Sequence, residues 1–112
     1  MSTLSLIVHA LTDDLRRAPW KGSANPLAGH CYVASEAAWH AMGGKDSGYV
    51  PQTIRHEGAT HWYLRHAEHG TILDLTASQF STPVPYAKGR GCGFLTREPS
   101  KRARIVLERA GL

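Results

Sequence analysis

An α+β fold is predicted by three observations on this 112-residue chain. Helical periodicity occupies both ends and one central stretch. Three short β-branched or aromatic runs gather between the second and third helical segments, and turn residues rather than helices separate those runs. Strands joined by turns pair antiparallel, so the expected architecture is a helix packed on a small antiparallel sheet, within a single domain over residues 1–112.

The elements follow in order. Leu4, Ile7, Val8, Leu11 and Leu15 recur at helical spacing, with Asp13, Asp14, Arg16 and Arg17 outside, predicting a helix over residues 4–17 that Pro19 stops. Trp20 to Gly29 is rich in turn formers and reads as an anchored loop. Cys31 to Met42 predicts a second helix, with Val33, Ala34, Ala37, Ala38 and Ala41 on its inner face and Gly43-Gly44 as a left-handed stop. Strands are expected at Tyr49–Arg55, His61–Arg65 and Thr71–Leu75, divided by Glu57-Gly58 and by Glu68-His69-Gly70. Pro83, Pro85 and three nearby glycines call for an extended, loose connection, after which Pro99 opens a helix over Ser100–Ala110.

Composition excludes several classes. Apolar residues at 42% and charged residues at 20% are ordinary globular usage, which argues against a disordered or fibrous chain. No apolar run approaches the roughly 18–20 residues of a membrane span, so no membrane partner is expected. The N-terminus has no basic segment ahead of its apolar stretch and no small-residue cleavage site, which makes cytoplasm the expected compartment. Cys31 and Cys92 are the only two cysteines and form no CxxC pair, so neither a disulfide framework nor a zinc-finger spacing is present. Seven histidines invite a metal reading, but His61 and His66 are an odd number of strand positions apart and point to opposite faces. No metal and no cofactor is expected. His56 and His66 are assigned to solvent or to neighbouring polar groups, and His9 and His40 to helix surfaces.

Three residues suggest nucleophilic chemistry. Cys31 stands at the predicted start of the second helix, where free backbone N–H groups and the positive dipole end favour a thiolate. His61 opens the central predicted strand, which holds an imidazole rigidly enough to serve as base. Asp74 lies on the next strand, and a hairpin centred on residues 68–70 brings it near His61, where a carboxylate fixes the imidazole tautomer. The alternative for Cys31 is a small, inert core thiol. Large aromatics in a small domain tend to be core, and Trp20, Trp39, Trp62 and Tyr63 are assigned there, with Trp62 facing away from any site that His61 faces. Cys92, between glycines, is given no role.

The segments GHCYVASEA, THWYLRH and ILDLT, lying between Asn25 and Gln79, resemble the core of papain-like and transglutaminase-like cysteine enzymes. In those families a cysteine begins a helix packed on an antiparallel sheet, with histidine and then aspartate or asparagine on adjoining strands, and Cys31, His61 and Asp74 match that order. His61-Trp62 and Asp74-Leu75-Thr76 are similar to, though incomplete copies of, the His-x-Trp and Asp-Pro-Thr patterns of transglutaminase-like domains. The chain also resembles small phage-encoded proteins of unassigned role that share GHCYVASEA, a His-Trp strand and Asp-x-Thr-x-x-Gln-Phe, which would place it in a host cytoplasm. The resemblance implies an amide or ester hydrolase, peptidase, deamidase or acyltransferase working through an acyl-enzyme. Papain-like enzymes carry a side-chain amide ahead of the cysteine as oxyanion donor. Asn25 is the matching candidate, though Asn25-Pro26 also reads as a turn initiator, and Gln79 competes for the role. With no room for a second lobe, the implied substrate is small or reaches in as a peptide tip.

A different class remains open. The formal charge of +4 is concentrated late, at Lys88, Arg90, Arg97, Lys101, Arg102, Arg104 and Arg109 against Glu98 and Glu108. An accessory protein that binds a host factor or nucleic acid through this quarter, without catalysis, is the alternative. Nucleic acid is the less favoured partner, because no aromatic residues interleave with the charges as a base-stacking platform.

Overall fold

The computed structural model describes residues 2–112. It is α+β, with helices α1 (Thr3–His9), α2 (Cys31–Ala41) and α3 (Lys101–Arg109) and strands β1 (Tyr49–His56), β2 (Ala59–His66), β3 (Ile72–Leu73) and β4 (Arg90–Gly91). The strands form one antiparallel sheet in the order β3-β2-β1-β4. No helix is long and apolar enough to cross a membrane among the described residues.

The β1–β2 hairpin is the best-specified element. Glu57 and Gly58 both take positive φ, 48° and 78°, which is the two-residue turn whose twist matches the flanking strands, and His56 pairs directly with Ala59. Along β2 the side chains alternate between two cores. Leu64 faces the helices and packs with Ile7, Val33, Ala37, Ala103 and Val106, whereas Tyr63 faces a smaller cluster with Ile54 and Val84, against which Phe80 and Tyr86 pack. His61 shares the Tyr63 side, and its ring lies edge-on to Phe80 at 4.7 Å.

Four expectations need correction. The first helix ends at His9, not residue 17, and the chain re-forms only a single 3-10 turn at Asp13–Leu15. Leu11 and Leu15 still reach the core, so the apolar spacing reported burial without reporting a continuous helix. Arg16, expected outside, is buried because its guanidinium donates to Asp13 and to the carbonyls of Ser23, Asn25 and Ala28, acceptors that the following loop holds out of regular structure. On α2, Ala41 is exposed while Glu36 is fully buried, because Glu36 accepts from the N–H and hydroxyl of Ser100 and so ties α2 to the start of α3. Finally, the glycine-rich connection contributes β4, which pairs Gly91 with Gln52 and Arg90 with Thr53 on the outer edge of β1.

α3 keeps its expected place. Ser100 is its N-cap and accepts from the Ala103 N–H at 3.2 Å, while Ala103 and Val106 carry its buried face.

Arg16 is the tie that fixes the loop leading to Cys31. Arg16→Ala leaves the Ser23 and Ala28 carbonyls without a donor and removes one donor each from Asn25 and Asp13, and is expected to lower the free energy of unfolding by about 2–4 kcal/mol in urea titrations. Arg16→Lys should recover only part of this, since one ammonium cannot reproduce the planar fork.

Candidate active site

Cys31 is the first residue of α2 and is partly exposed. Its backbone N–H belongs to the first turn, which has no intrahelical acceptor, and its Sγ lies 3.8 Å from the Thr60 carbonyl oxygen. Gly29 makes the approach possible: its φ is +81°, and a Cβ there would stand 2.4 Å from the Trp20 Cβ. His30, between them, caps the helix start and is fully buried with neither ring nitrogen hydrogen-bonded. Burial, with Arg16 and Arg102 nearby, pushes its imidazole down to about 4, so an uncharged ring sits beside two guanidinium groups.

His61 is fully buried, and its Nε2 lies 2.7 Å from Asp74 Oδ2, whose side chain is only 4% exposed. Asp74 is fully engaged as an acceptor. Tyr86 donates its hydroxyl to Oδ2 at 2.7 Å, and the Thr76 N–H donates to Oδ1 at 3.3 Å. The strand expected over Thr71–Leu75 is only Ile72–Leu73, so Asp74 directly follows β3 rather than lying on it; the pairing of Leu64 with Leu73 still sets it beside β2, within reach of His61. With Nε2 committed to Asp74, Nδ1 is the nitrogen left for proton exchange with the sulfur.

Burial alone would push the His61 imidazole down. Asp74 and Cys31 outweigh it and raise the ring to about 9 from its ordinary 6.5. The Tyr86 hydroxyl is held protonated above its usual range by burial and by the same carboxylate.

Cys31, His61 and Gln79 line one cavity of about 240 Å³, walled also by Trp20, Tyr32, Trp62, Arg17 and Arg102. Gln79 Nε2 lies 3.0 Å from Thr76 Oγ1, to which it donates, and 3.4 Å from His61 Nδ1. Asn25 is placed otherwise. Its Nδ2 donates to the Gln79 carbonyl at 2.9 Å and its Oδ1 accepts from the Leu27 N–H, so the side chain shapes the loop and fixes the Gln79 backbone. Glu57, at the hairpin tip, pins the chain just beyond Gln79 by accepting from Ser81 and Thr82, and those bonds hold its carboxyl down at about 2.

Trp62 and Trp20 depart from expectation. Trp62 does alternate with His61 and packs on Tyr32 and Phe94, yet it lines the same cavity, because the cavity takes in both sets of alternating side chains at the start of β2. Trp20 is 38% exposed on the rim, whereas Tyr63 is core. Tyr86, Arg17 and Arg102 were not recognised as site residues. Arg17 fell on an expected helix surface, and no spacing rule links Tyr86 to a carboxylate twelve positions earlier.

The late basic residues are partly spent inside the chain. Arg102 donates to the Leu15 carbonyl, Arg104 to the Pro99 carbonyl, and Arg109 to Ala10, Thr12 and Asp14. Cys92 is exposed. Among the described residues, no group of three His, Cys, Asp or Glu side chains is arranged to hold a metal.

No protein-family profile, curated protein or solved structure matches this chain.

Asp74→Asn should lower His61 from about 9 toward its ordinary 6.5, because burial is then opposed by Cys31 alone; NMR titration of the His61 ring carbon and proton checks this against wild type. The raised folded-state value stabilises the native state fully below about 6.5, and that contribution is lost as pH rises through about 9. Urea stability measured from pH 6 to 10 should therefore fall across this window in wild type and change less in His61→Gln.

Proposed function

We propose that this protein is a cysteine-dependent acyl-transfer enzyme acting on an amide or ester, with a papain-like or transglutaminase-like core and a Cys31-His61-Asp74 triad. One observation carries the proposal: a partly exposed thiol at a helix start shares a small cavity with a buried imidazole whose far nitrogen is held at 2.7 Å by a buried carboxylate. A purely structural cysteine would need neither the oriented imidazole nor the open cavity.

In the proposed reaction the Cys31 thiol proton already rests on His61 Nδ1, as a thiolate–imidazolium pair in keeping with a ring held at about 9, and the Sγ thiolate attacks the substrate carbonyl carbon. The C–O π electrons move onto oxygen, where the Cys31 N–H and the Gln79 amide are the candidate donors. Gln79 suits this role better than Asn25, because Gln79 lines the cavity with Cys31 and Asn25 does not. The Gln79 contact to Nδ1 is long at 3.4 Å, and an imidazolium offers no lone pair there, so the amide is available to the oxyanion. Collapse of the intermediate breaks the bond to the leaving group, which receives the proton from Nδ1. Water, or an amine in a transfer reaction, then resolves the thioester with His61 as base.

Asp74 acts through His61. It selects the tautomer protonated on Nε2 and stabilises the imidazolium, and Tyr86 and Thr76 hold the carboxylate in place. The cavity volume of about 240 Å³ fits a small acyl group or a single side-chain tip rather than a long peptide. Binding of nucleic acid through the C-terminal quarter is the less supported alternative, because Arg109 is paired with Asp14 and Arg104 folds back on the Pro99 carbonyl.

Iodoacetamide near neutral pH should alkylate Cys31 before the more exposed Cys92, as mapped by peptide mass spectrometry, and His61→Ala should slow Cys31 alone by about tenfold or more. Equal, slow labelling of both thiols would refute the proposal. Turnover of a small amide, whose amine leaves only when protonated, should fall as pH rises through about 9, when His61 loses the proton it must give the leaving group, and Cys31→Ala should abolish it.

A further inference from the structure

The cavity around Cys31 carries an unbalanced charge. Arg17 and Arg102 both line it, and no carboxylate does. An adjoining groove of about 350 Å³ shares Arg17, Tyr32 and Arg102 with the cavity and adds Lys101 at the start of α3. Three cations therefore follow one path away from the sulfur.

None of them is neutralised. The ion pairs among the described residues join Arg16 to Asp13, His56 to Glu57, His61 to Asp74 and Arg109 to Asp14. Arg102 donates one hydrogen bond, to the neutral Leu15 carbonyl; the Glu36 carboxylate of α2 favours its charge through space but forms no ion pair with it, its oxygens accepting from Ser100. Burial first, and then the charge of Arg17, push the Arg102 guanidinium down from its usual range, so each cation raises the cost of the other. A surface arginine needs no partner in water, but two that face one walled cavity gain most from an anion placed between them.

Resting on the acyl-transfer function proposed above, we propose that the cavity selects acyl donors bearing a carboxylate, bound by Arg17 and Arg102. Tyr32, Trp20 and Trp62 supply the apolar walls for the short carbon chain that joins this carboxylate to the reacting carbonyl. An acidic side chain of a peptide, or a small dicarboxylic acid derivative, has this chemistry, and the planar guanidinium fork matches a carboxylate.

The test uses the two thiols of the full chain as probe and internal control. Iodoacetate and iodoacetamide are of similar size and both alkylate sulfur, but only iodoacetate carries a carboxylate. The ratio of their rate constants should be higher at Cys31 than at exposed Cys92. In Arg17→Gln the ratio at Cys31 should fall by roughly three- to tenfold, the range for one partly screened charge pair, with Cys92 unchanged. Arg102→Gln should do the same, and because Arg102 also holds Leu15, its fold is checked by circular dichroism; Arg17→Gln stands alone if Arg102→Gln does not fold. An unchanged ratio at Cys31 in Arg17→Gln overturns the proposal. The two hypotheses fail separately. A sluggish Cys31 whose ratio still depends on Arg17 would remove acyl transfer and keep the carboxylate subsite, whereas a reactive Cys31 with an unchanged ratio would remove the subsite and keep the chemistry.

Discussion

The buried hydrogen bond between His61 and Asp74 is the constraint around which the second half of the chain is arranged. Removing an imidazole and a carboxylate from water is costly, and the pair is tolerable only if the remaining lone pairs are also satisfied. The structure meets that condition with groups from three places: the Tyr86 hydroxyl on Oδ2, the Thr76 N–H on Oδ1, and the aromatic ring of Phe80 against the imidazole. The small cluster of Ile54, Tyr63 and Val84 lies on the same face of the sheet, so hydrophobic burial there also excludes water from the ion pair. Close packing limits the alternatives: a Cβ on Gly89 would fall 1.7 Å from the Tyr63 hydroxyl, which itself donates to Gln52 and to the Tyr86 carbonyl.

The cysteine is held by different means. It begins a helix whose preceding residues have no regular structure, so its position depends on how tightly the loop from Trp20 to His30 is tied. Arg16 gathers the carbonyls of Ser23, Asn25 and Ala28, and Asn25 in turn grips the backbone of Gln79. This last bond joins residues 54 positions apart and links the cysteine loop directly to the segment beyond Asp74. The two halves of the candidate site are thus connected by a side chain that the sequence offered as an oxyanion donor. Its residue type was informative, but its role was not, because an amide near a nucleophile serves as well in a structural bond as in a catalytic one.

Legibility differed by the range of the interaction. The hairpin at Glu57-Gly58 and the left-handed stop after α2 are set by neighbours within a few residues, and local chemistry sufficed to find them. The order Cys31, His61, Asp74 was legible because a helix start, a strand and the hairpin return beside it are each locally marked, although β3 ends one residue short of Asp74. What escaped were features that depend on partners far away in the chain. The burial of Arg16, the addition of β4 to the sheet edge, the contact of Tyr86 with Asp74 and the presence of Trp62 in the cavity all follow from packing that no periodicity records. The first helix illustrates the point from the opposite direction: its apolar spacing continued to Leu15, but Arg16 found three carbonyl acceptors in the following loop, and tertiary bonds overrode a local preference worth only tenths of a kcal/mol per residue, roughly, on propensity scales.

Charge shows the same division of labour. A sequence with more basic than acidic residues toward its end suggests a surface for a polyanion, but position in the fold decides what each charge does. Arg109 closes α3 onto the start of the chain through Asp14, and Arg104 folds back on its own helix start, so neither is free for a partner. Arg102 is different in kind. It is half-buried, bonded to a single neutral carbonyl, and turned toward the cavity that contains the thiol, with Arg17 across from it and no acidic residue in the lining. A domain this small has few buried positions to spare for an unpaired cation, and a neutral side chain would fill the same space without the desolvation cost. That cost is most readily understood if an anion is present during the working cycle of the protein, which ties the charge of α3 to the chemistry proposed for α2.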